Sequence, residues 1–387
     1  MVALNKQLKQ INPETGFSAA ARYVAQYRAE HPKASIVSLG IGDVSRPVIK
    51  PVLNAMHTAV DDLGSMDTFQ GYGAYYGIDE LREAILQHEY AQFGFTKDEI
   101  YVSDGTKPDA TNLLELFDAR CKILLPEICY PIYRNGAYAM GRKVYTAPVD
   151  KNFVMRVPKE HFDIVYICSP SNPTGLAYTR KDLKKWLAYC KREEAVLIFD
   201  NVYESFISSE DVPHSIYEIP GAESCAIELR SFSKKASFTG LRCSYFVLPR
   251  AIDGGLFKER TINRFNGASY VAQKGALACF RKDALRLIQK NVQAYKDNAA
   301  FLKHGFQDLG FQVAGGEDAP FLWVAIPGNT DSFAYFKMLL EEIGVVVVPG
   351  IVFGKAGDGF FRVSGFGSAK TTKEAMKRIA NYYANQA

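Results

Sequence analysis

Short apolar runs recur along this chain, separated by stretches whose apolar positions fall three and four residues apart. Ile100-Tyr101-Val102, Cys121 to Leu125, Ile164 to Cys168, Val196 to Phe199, Cys225 to Leu229 and Tyr245 to Leu248 are almost continuously apolar. Runs of this length read as strands buried on both faces. Leu81 to Phe93 and Lys181 to Lys191 carry helical spacing instead. Strands alternating with helices predict an α/β architecture, a mostly parallel sheet covered by helices on both faces. Upstream, Ser18 to Ala29 reads as a helix with Ala20, Tyr23, Val24 and Tyr27 along one side. Ser35 to Leu39 reads as a short strand entering Gly40-Ile41-Gly42-Asp43.

The texture changes after residue 265. A long helical pattern covers Ala272 to about Gly310, with a break near Arg281. Strands follow at Phe321 to Ile326, Val345 to Val348 and Phe361 to Ser364, with helices at Asp331 to Ile343 and Thr371 to Tyr383. Thr330 is placed to cap the first of these helices. The expected division is a large domain over 49–265 and a smaller α+β domain over 266–387, with 1–48 forming an arm and part of the small domain.

Composition narrows the function. A chain of 387 residues, 48% of them hydrophobic, can bury two cores. Charged residues make up 23%, the net charge is +4, and Lys/Arg interleave with Asp/Glu. That balance argues against a nucleic-acid partner. Seven cysteines include no C-x-x-C pair, which suits free thiols in a reducing cytoplasm. Six histidines show no zinc-binding spacing, so no metal is expected. Met1 to Gln10 is polar, and no apolar stretch is long enough to span a membrane. A cytoplasmic location is expected.

The chemistry concentrates just after the predicted strands. Thr106, Tyr130, Asn172, Asp200 and Lys234 each follow one, and such positions gather at the carboxyl edge of a parallel sheet. In Ser231 to Arg242, Lys234 stands behind the hydroxyls of Ser231 and Ser233, with Arg242 eight residues on. A lysine so placed can form a Schiff base with a carbonyl, while hydroxyls and a guanidinium hold a phosphate. Together they suit pyridoxal 5'-phosphate; a Ser/Lys-rich surface loop is the plainer alternative. Asp200, ending a buried strand, suits a protonated pyridine nitrogen or else a helix cap. Tyr203 and Asn172 suit the ring's phenolic oxygen, or a core tyrosine and an ordinary Asn-Pro turn. Thr106 and Lys107 follow Gly105 at a helix start, where backbone N–H groups bind phosphate. Tyr130 suits stacking on a flat ring or core packing. Arg362 interrupts an apolar strand; its partner is either a substrate carboxylate or an internal acid.

These residues, in this order and spacing, resemble the class I/II aminotransferases of pyridoxal-phosphate fold type I. Ser38-Leu-Gly-Ile-Gly-Asp43, Gly71-Tyr-Gly73, Phe238-Thr-Gly-Leu-Arg242, Phe265-Asn-Gly-Ala-Ser269 and Pro349-Gly-Ile-Val-Phe-Gly354 are similar, more narrowly, to the LL-diaminopimelate aminotransferase family. The resemblance implies that Lys234 anchors the cofactor and moves protons at the substrate. It implies that Asp200, Asn172, Tyr203 and Tyr130 hold the ring, and that Thr106, Lys107, Ser231, Ser233 and Arg242 hold the phosphate. Tyr72 would reach the phosphate of a neighbouring subunit, making a homodimer. Gly42, Asn266 and Arg362 would contact an amino acid and a 2-oxo acid such as 2-oxoglutarate. The chain departs from the family where a Glu-Gln pair is replaced by Tyr75 and Tyr76, and where Thr15-Gly16-Phe17-Ser18 replaces a tyrosine-containing segment. Both lie at the implied substrate end. An aminotransferase with an aromatic or uncharged donor, a β-lyase and a non-catalytic cofactor-binding regulator therefore stand as alternatives.

Overall fold

Seven strands form the main sheet: β1 (Ile100–Ser103), β2 (Ile123–Pro126), β3 (Val144–Ala147), β4 (Ile164–Cys168), β5 (Val196–Asp200), β6 (Ala226–Ser231) and β7 (Ser244–Val247). In the computed structural model, which describes residues 2–11, 16–40, 42–328 and 331–385, they lie in the order β1-β7-β6-β5-β4-β2-β3. Only β7 runs against its neighbours; the other adjacent pairs are parallel. β1, β4 and β6 are buried along their whole length, as continuous apolar runs require. β3 is an edge strand with two exposed residues, so its sequence shows no apolar run and does not announce it.

Helices cover both faces, and several follow patterns that the sequence hides. Lys50–Leu63 opens with a proline in its first turn and fully buries only Val52 and Ala59. Leu256–Arg264 fully buries only Phe257 and Thr261. The expected helix over Leu81 to Phe93 is α-helical from Asp79 to Ile85, then widens into a π turn, Leu86–Tyr90, and tightens again over Ala91–Phe93. The break near Arg281 is real: Tyr270–Ala278 and Lys282–Asp308 are separate helices. Thr330 lies outside the described residues; the cap of helix Ser332–Ile343 is Asp331, which accepts from the N–H groups of Phe333 and Ala334.

The second sheet is antiparallel, with Val348–Pro349, Phe360–Ser364, Phe321–Ala325 and Val313–Gly315 side by side. The three-residue strand Val313–Gly315 is too short to carry a sequence signal. The arm joins this half: Val37–Ser38 pairs with Val345–Val346, and Ala20, Tyr23, Val24 and Tyr27 pack on its core. The passage between halves comes later than residue 265. Ala268, Ala272, Ala276, Ile288 and Val292 belong to the core under the main sheet. Leu302 and Phe306, further along helix Lys282–Asp308, belong to the core of the second. Among the described residues, no helix is long and apolar enough to cross a membrane, and no cluster of acidic, histidine and cysteine side chains is arranged for a metal ion.

Candidate active site

β4, β5 and β6 are neighbouring parallel strands, and they end together at Cys168, Asp200 and Ser231. Beyond those ends lies a cavity of about 760 Å³ between the two sheets. Its walls bring together twelve of the predicted residues: Gly42, Thr106, Lys107, Tyr130, Asn172, Asp200, Tyr203, Ser231, Ser233, Lys234, Arg242 and Arg362. Four cationic side chains face two carboxylates there, Asp43 and Asp200. The excess of positive charge suits a ligand with more than one anionic group.

Asp200 is buried, and its Oδ2 accepts a 2.5 Å hydrogen bond from the Tyr133 hydroxyl. Among the described residues its Oδ1 accepts no hydrogen bond. Burial pushes the carboxyl up to about 6, with Tyr133 and the Val202 N–H opposing the rise. A buried, half-satisfied carboxylate is costly to leave alone, and a protonated ring nitrogen would satisfy it.

Lys234 follows from the way β6 ends. Ser231 caps the short helix Phe232–Lys235 by accepting from the Ser233 N–H at 3.0 Å, and the helix carries Lys234 into the cavity. Its Nζ donates to the Gly42 carbonyl at 2.6 Å. Burial lowers the ammonium to about 8; Asp43 opposes this, while Arg362 and Arg242 reinforce it. A lysine in this range is a competent nucleophile and proton carrier near neutral pH.

Arg362 rises from the second sheet and is 1% exposed. No carboxylate pairs with it among the described residues. Its Nη1 donates to Asn172 Oδ1 at 2.7 Å and its Nη2 to the Gly40 carbonyl at 3.1 Å. Phe321 and Phe353 face the guanidinium at 4.6 and 5.1 Å, and burial lowers it to about 10. The internal-acid reading is therefore not met. The bond to Oδ1 also turns the Asn172 amide so that its NH₂ is left for another partner.

At the other end, Gly105 has φ +141°, and a Cβ there would lie 1.9 Å from Arg242 Nη2. Glycine thus lets the guanidinium cross the start of helix Thr106–Asn112. Arg242 itself adopts φ +59° and donates to the Thr239 carbonyl at 3.1 Å. Backbone N–H groups at that helix start, two serine hydroxyls, Lys107 and Arg242 line this end of the cavity and could together cradle a phosphate.

The remaining predicted residues lie elsewhere. Tyr72 is 91% exposed and Tyr75 partly so; Asn266 sits beside their loop, its carbonyl close to Gly73. None of the three lines the cavity within one chain, and Thr15 lies outside the described residues. Tyr133, Asp43 and Thr239 line it without having been anticipated, and Phe17 lines it from the segment expected at the substrate end. Tyr133 had a faint signal, standing one helical turn after Tyr130.

Comparison with known proteins agrees with this geometry. The family model for aminotransferase class I and II matches residues 34–379. This chain belongs to that family. LL-diaminopimelate aminotransferases of Lawsonia intracellularis and Bacteroides thetaiotaomicron are 37% and 38% identical to it over at least 98% of each chain. The solved L,L-diaminopimelate aminotransferase of Chlamydomonas reinhardtii is 35% identical, with a TM-score of 0.93 and 99% of both chains covered. An aromatic aminotransferase of Pyrococcus horikoshii, at 24% identity and a TM-score of 0.83, shares the fold. The aminotransferase described here depends on pyridoxal phosphate and acts on amino acids and 2-oxo acids. Its cavity fits that cofactor: an unpartnered acid for the ring nitrogen, a lysine of lowered basicity and a cationic cradle for the phosphate.

Proposed function

We propose that the enzyme takes the amino group of LL-diaminopimelate or a close relative and passes it to a 2-oxo acid, 2-oxoglutarate first among them. The observation that carries this reading is the convergence of Lys234, the unpartnered Asp200 oxygen and the unpaired Arg362 on one cavity. The full-length likeness to LL-diaminopimelate aminotransferases supports the donor. The bound cofactor supplies an electron sink for the charge that develops at the substrate α-carbon. Asp200 would keep the ring nitrogen protonated, and Tyr203 and the Asn172 amide would face the phenolic oxygen. Tyr130 would pack on the ring; Thr106, Lys107, Ser231, Ser233 and Arg242 would hold the phosphate. Lys234 would carry the proton to and from the α-carbon. Arg362 would bind the α-carboxylate, with Gly42 close by: a Cβ at Gly42 would come within 3.4 Å of Arg362 Nη2.

A second donor class is favoured by Tyr75 and Tyr76, which replace an acid and an amide with phenols and suit an aromatic or uncharged distal end. A panel of amino acids with 2-oxoglutarate separates the two. LL-diaminopimelate should give the highest kcat/KM; an aromatic donor outrunning it by tenfold would transfer the assignment to the second class. Pyruvate and ammonia formed with no oxo acid present would point to a β-lyase.

Arg362→Lys keeps the charge but loses the planar fork. We expect KM for both substrates to rise about 10- to 100-fold, with the spectrum of the bound cofactor unchanged. An unaltered KM would remove Arg362 from carboxylate binding.

We also place the enzyme in the cytoplasm as a homodimer. Met66, Phe69 and Tyr72 are 96%, 61% and 91% exposed on one loop, more apolar surface than a lone chain tends to leave in water. Tyr75 and Asn266 share that face and would complete the partner's site, as Tyr72 would reach its phosphate. Mixing inactive Lys234→Ala and Tyr72→Ala chains should then regenerate activity, because mixed dimers hold one intact site. Two chains that stay inactive while exchanging subunits would place Tyr72 outside the partner's site.

A further inference from the structure

Behind the cavity lies a second polar cluster, none of whose members lines it. Lys235 Nζ sits 2.8 Å from Glu89 Oε1 and 3.2 Å from Glu204 Oε1. Arg230 is 3.4 Å from Glu204, 3.6 Å from Glu89 and 3.3 Å from Glu228. Glu228, fully buried, accepts from Tyr90 at 2.6 Å, from Asn201 at 3.1 Å and from Ser215 at 3.0 Å. The Tyr245 hydroxyl donates to Glu89. Burial works against the charge on Glu89, yet Lys235 and Arg230 hold its carboxyl at about 2.

The members of this cluster are chain neighbours of the cavity residues. Asn201 follows Asp200, Glu204 follows Tyr203, Arg230 precedes Ser231 and Lys235 follows Lys234. Arg230 and Ser231 are adjacent on β6, where successive side chains point to opposite faces. Asn201 follows the end of β5, Tyr203 and Glu204 lie at a short 3-10 turn, and Lys234 and Lys235 lie on helix Phe232–Lys235. In each pair one member lines the cavity while the other joins the cluster. Glu89 and Tyr90 reach it from the π turn Leu86–Tyr90, a feature that recurs at functional sites. A buried ion cluster is poor value as a stabiliser, because well-packed apolar side chains do as well or better. Its directional bonds do fix geometry.

We propose that Glu89, Glu204, Glu228, Arg230 and Lys235 form a positioning device that holds Asp200, Tyr203, Ser231 and Lys234 in register from behind. None of the five touches substrate or cofactor. The proposal rests on the assignment of Lys234 as the cofactor lysine, and Lys235 is its nearest handle. With Lys235 gone, Glu89 and Glu204 repel each other beneath the helix that carries Lys234. The groups facing Lys234 in the cavity, Asp43, Arg242 and Arg362, stay in place, so a change at Lys234 originates in the cluster behind it.

The test uses holoenzyme of Lys235→Met and, in case that chain fails to fold, of the less buried Glu204→Gln. Readouts are the pH midpoint of the visible absorption of the bound cofactor, cofactor retention on dialysis, kcat, KM and thermal stability. We expect kcat to fall tenfold or more and the spectroscopic midpoint to move by at least half a pH unit, with KM within about threefold. Lys235→Arg should restore both. A folded Lys235→Met or Glu204→Gln with unchanged midpoint and kcat, whatever its thermal stability, would overturn the proposal. Failure of the underlying assignment looks different: Lys234→Ala would keep a covalently held cofactor.

Discussion

Lys234→Ala is expected to lower turnover by about 10⁴-fold or more, since in the proposed role Lys234 is nucleophile and proton carrier at once. The magnitude follows from the setting of the amine. Its basicity is lowered to about 8 by burial and the nearby guanidinium groups, which raises the neutral fraction near pH 7.5 by about two orders of magnitude over an ordinary lysine. The same shift fixes a pH dependence. Apo-enzyme should capture pyridoxal phosphate at a rate that climbs with pH through a midpoint near 8 and then levels. The alanine variant should still bind the cofactor through Asp200 and the phosphate cradle, yet borohydride should fail to fix it covalently. Retention of borohydride-fixed cofactor by the variant would move the anchor to another lysine.

Asp200→Asn should cost about 10³-fold in kcat, because a neutral amide cannot hold a proton on the ring nitrogen. Stability of the apo-enzyme should move the other way. The carboxyl is raised to about 6 in the folded chain, against an ordinary value near 4 in an unfolded one. The folded chain therefore binds more protons across that interval. Its stability falls as pH rises from about 4 to about 6, and the full cost, about 3 kcal/mol, is present above that range. The asparagine variant escapes the cost, apart from what its own unpaired NH₂ takes back. Thermal melts of both apo-enzymes should converge near pH 4 and separate by pH 7, with the variant the more stable. Parallel melting curves across pH would show that Asp200 carries no buried charge penalty.

Six of the seven main-sheet strands were readable because burial on both faces favours apolar side chains, whereas the half-exposed edge strand β3 leaves no such run. The residues proposed to hold the cofactor stood out because they follow those strands. Helix Ile132–Ala139 was not, since Asn135-Gly136 inside it reads as a turn. Gly136 is there for another reason: a Cβ would meet the Thr111 side chain at 2.2 Å. Missing that helix meant missing Tyr133 and its bond to Asp200. The long-range pairing of Arg362 with Asn172 was equally hidden, because 190 residues separate them and no local pattern encodes the contact. Tyr72, Tyr75 and Asn266 show a different limit. Their motifs were visible, but one chain does not bring them to its own cavity.

The helix Lys282–Asp308 has a consequence for how the molecule comes apart. Its 27 residues run about 40 Å, with Ile288 and Val292 seated in one core and Leu302 and Phe306 in the other. Melting either core strips the side-chain contacts from half of a single hydrogen-bonded rod, and the stripped half frays toward the other. The two halves thus share a spine, and a single cooperative melting transition is the expected result in calorimetry.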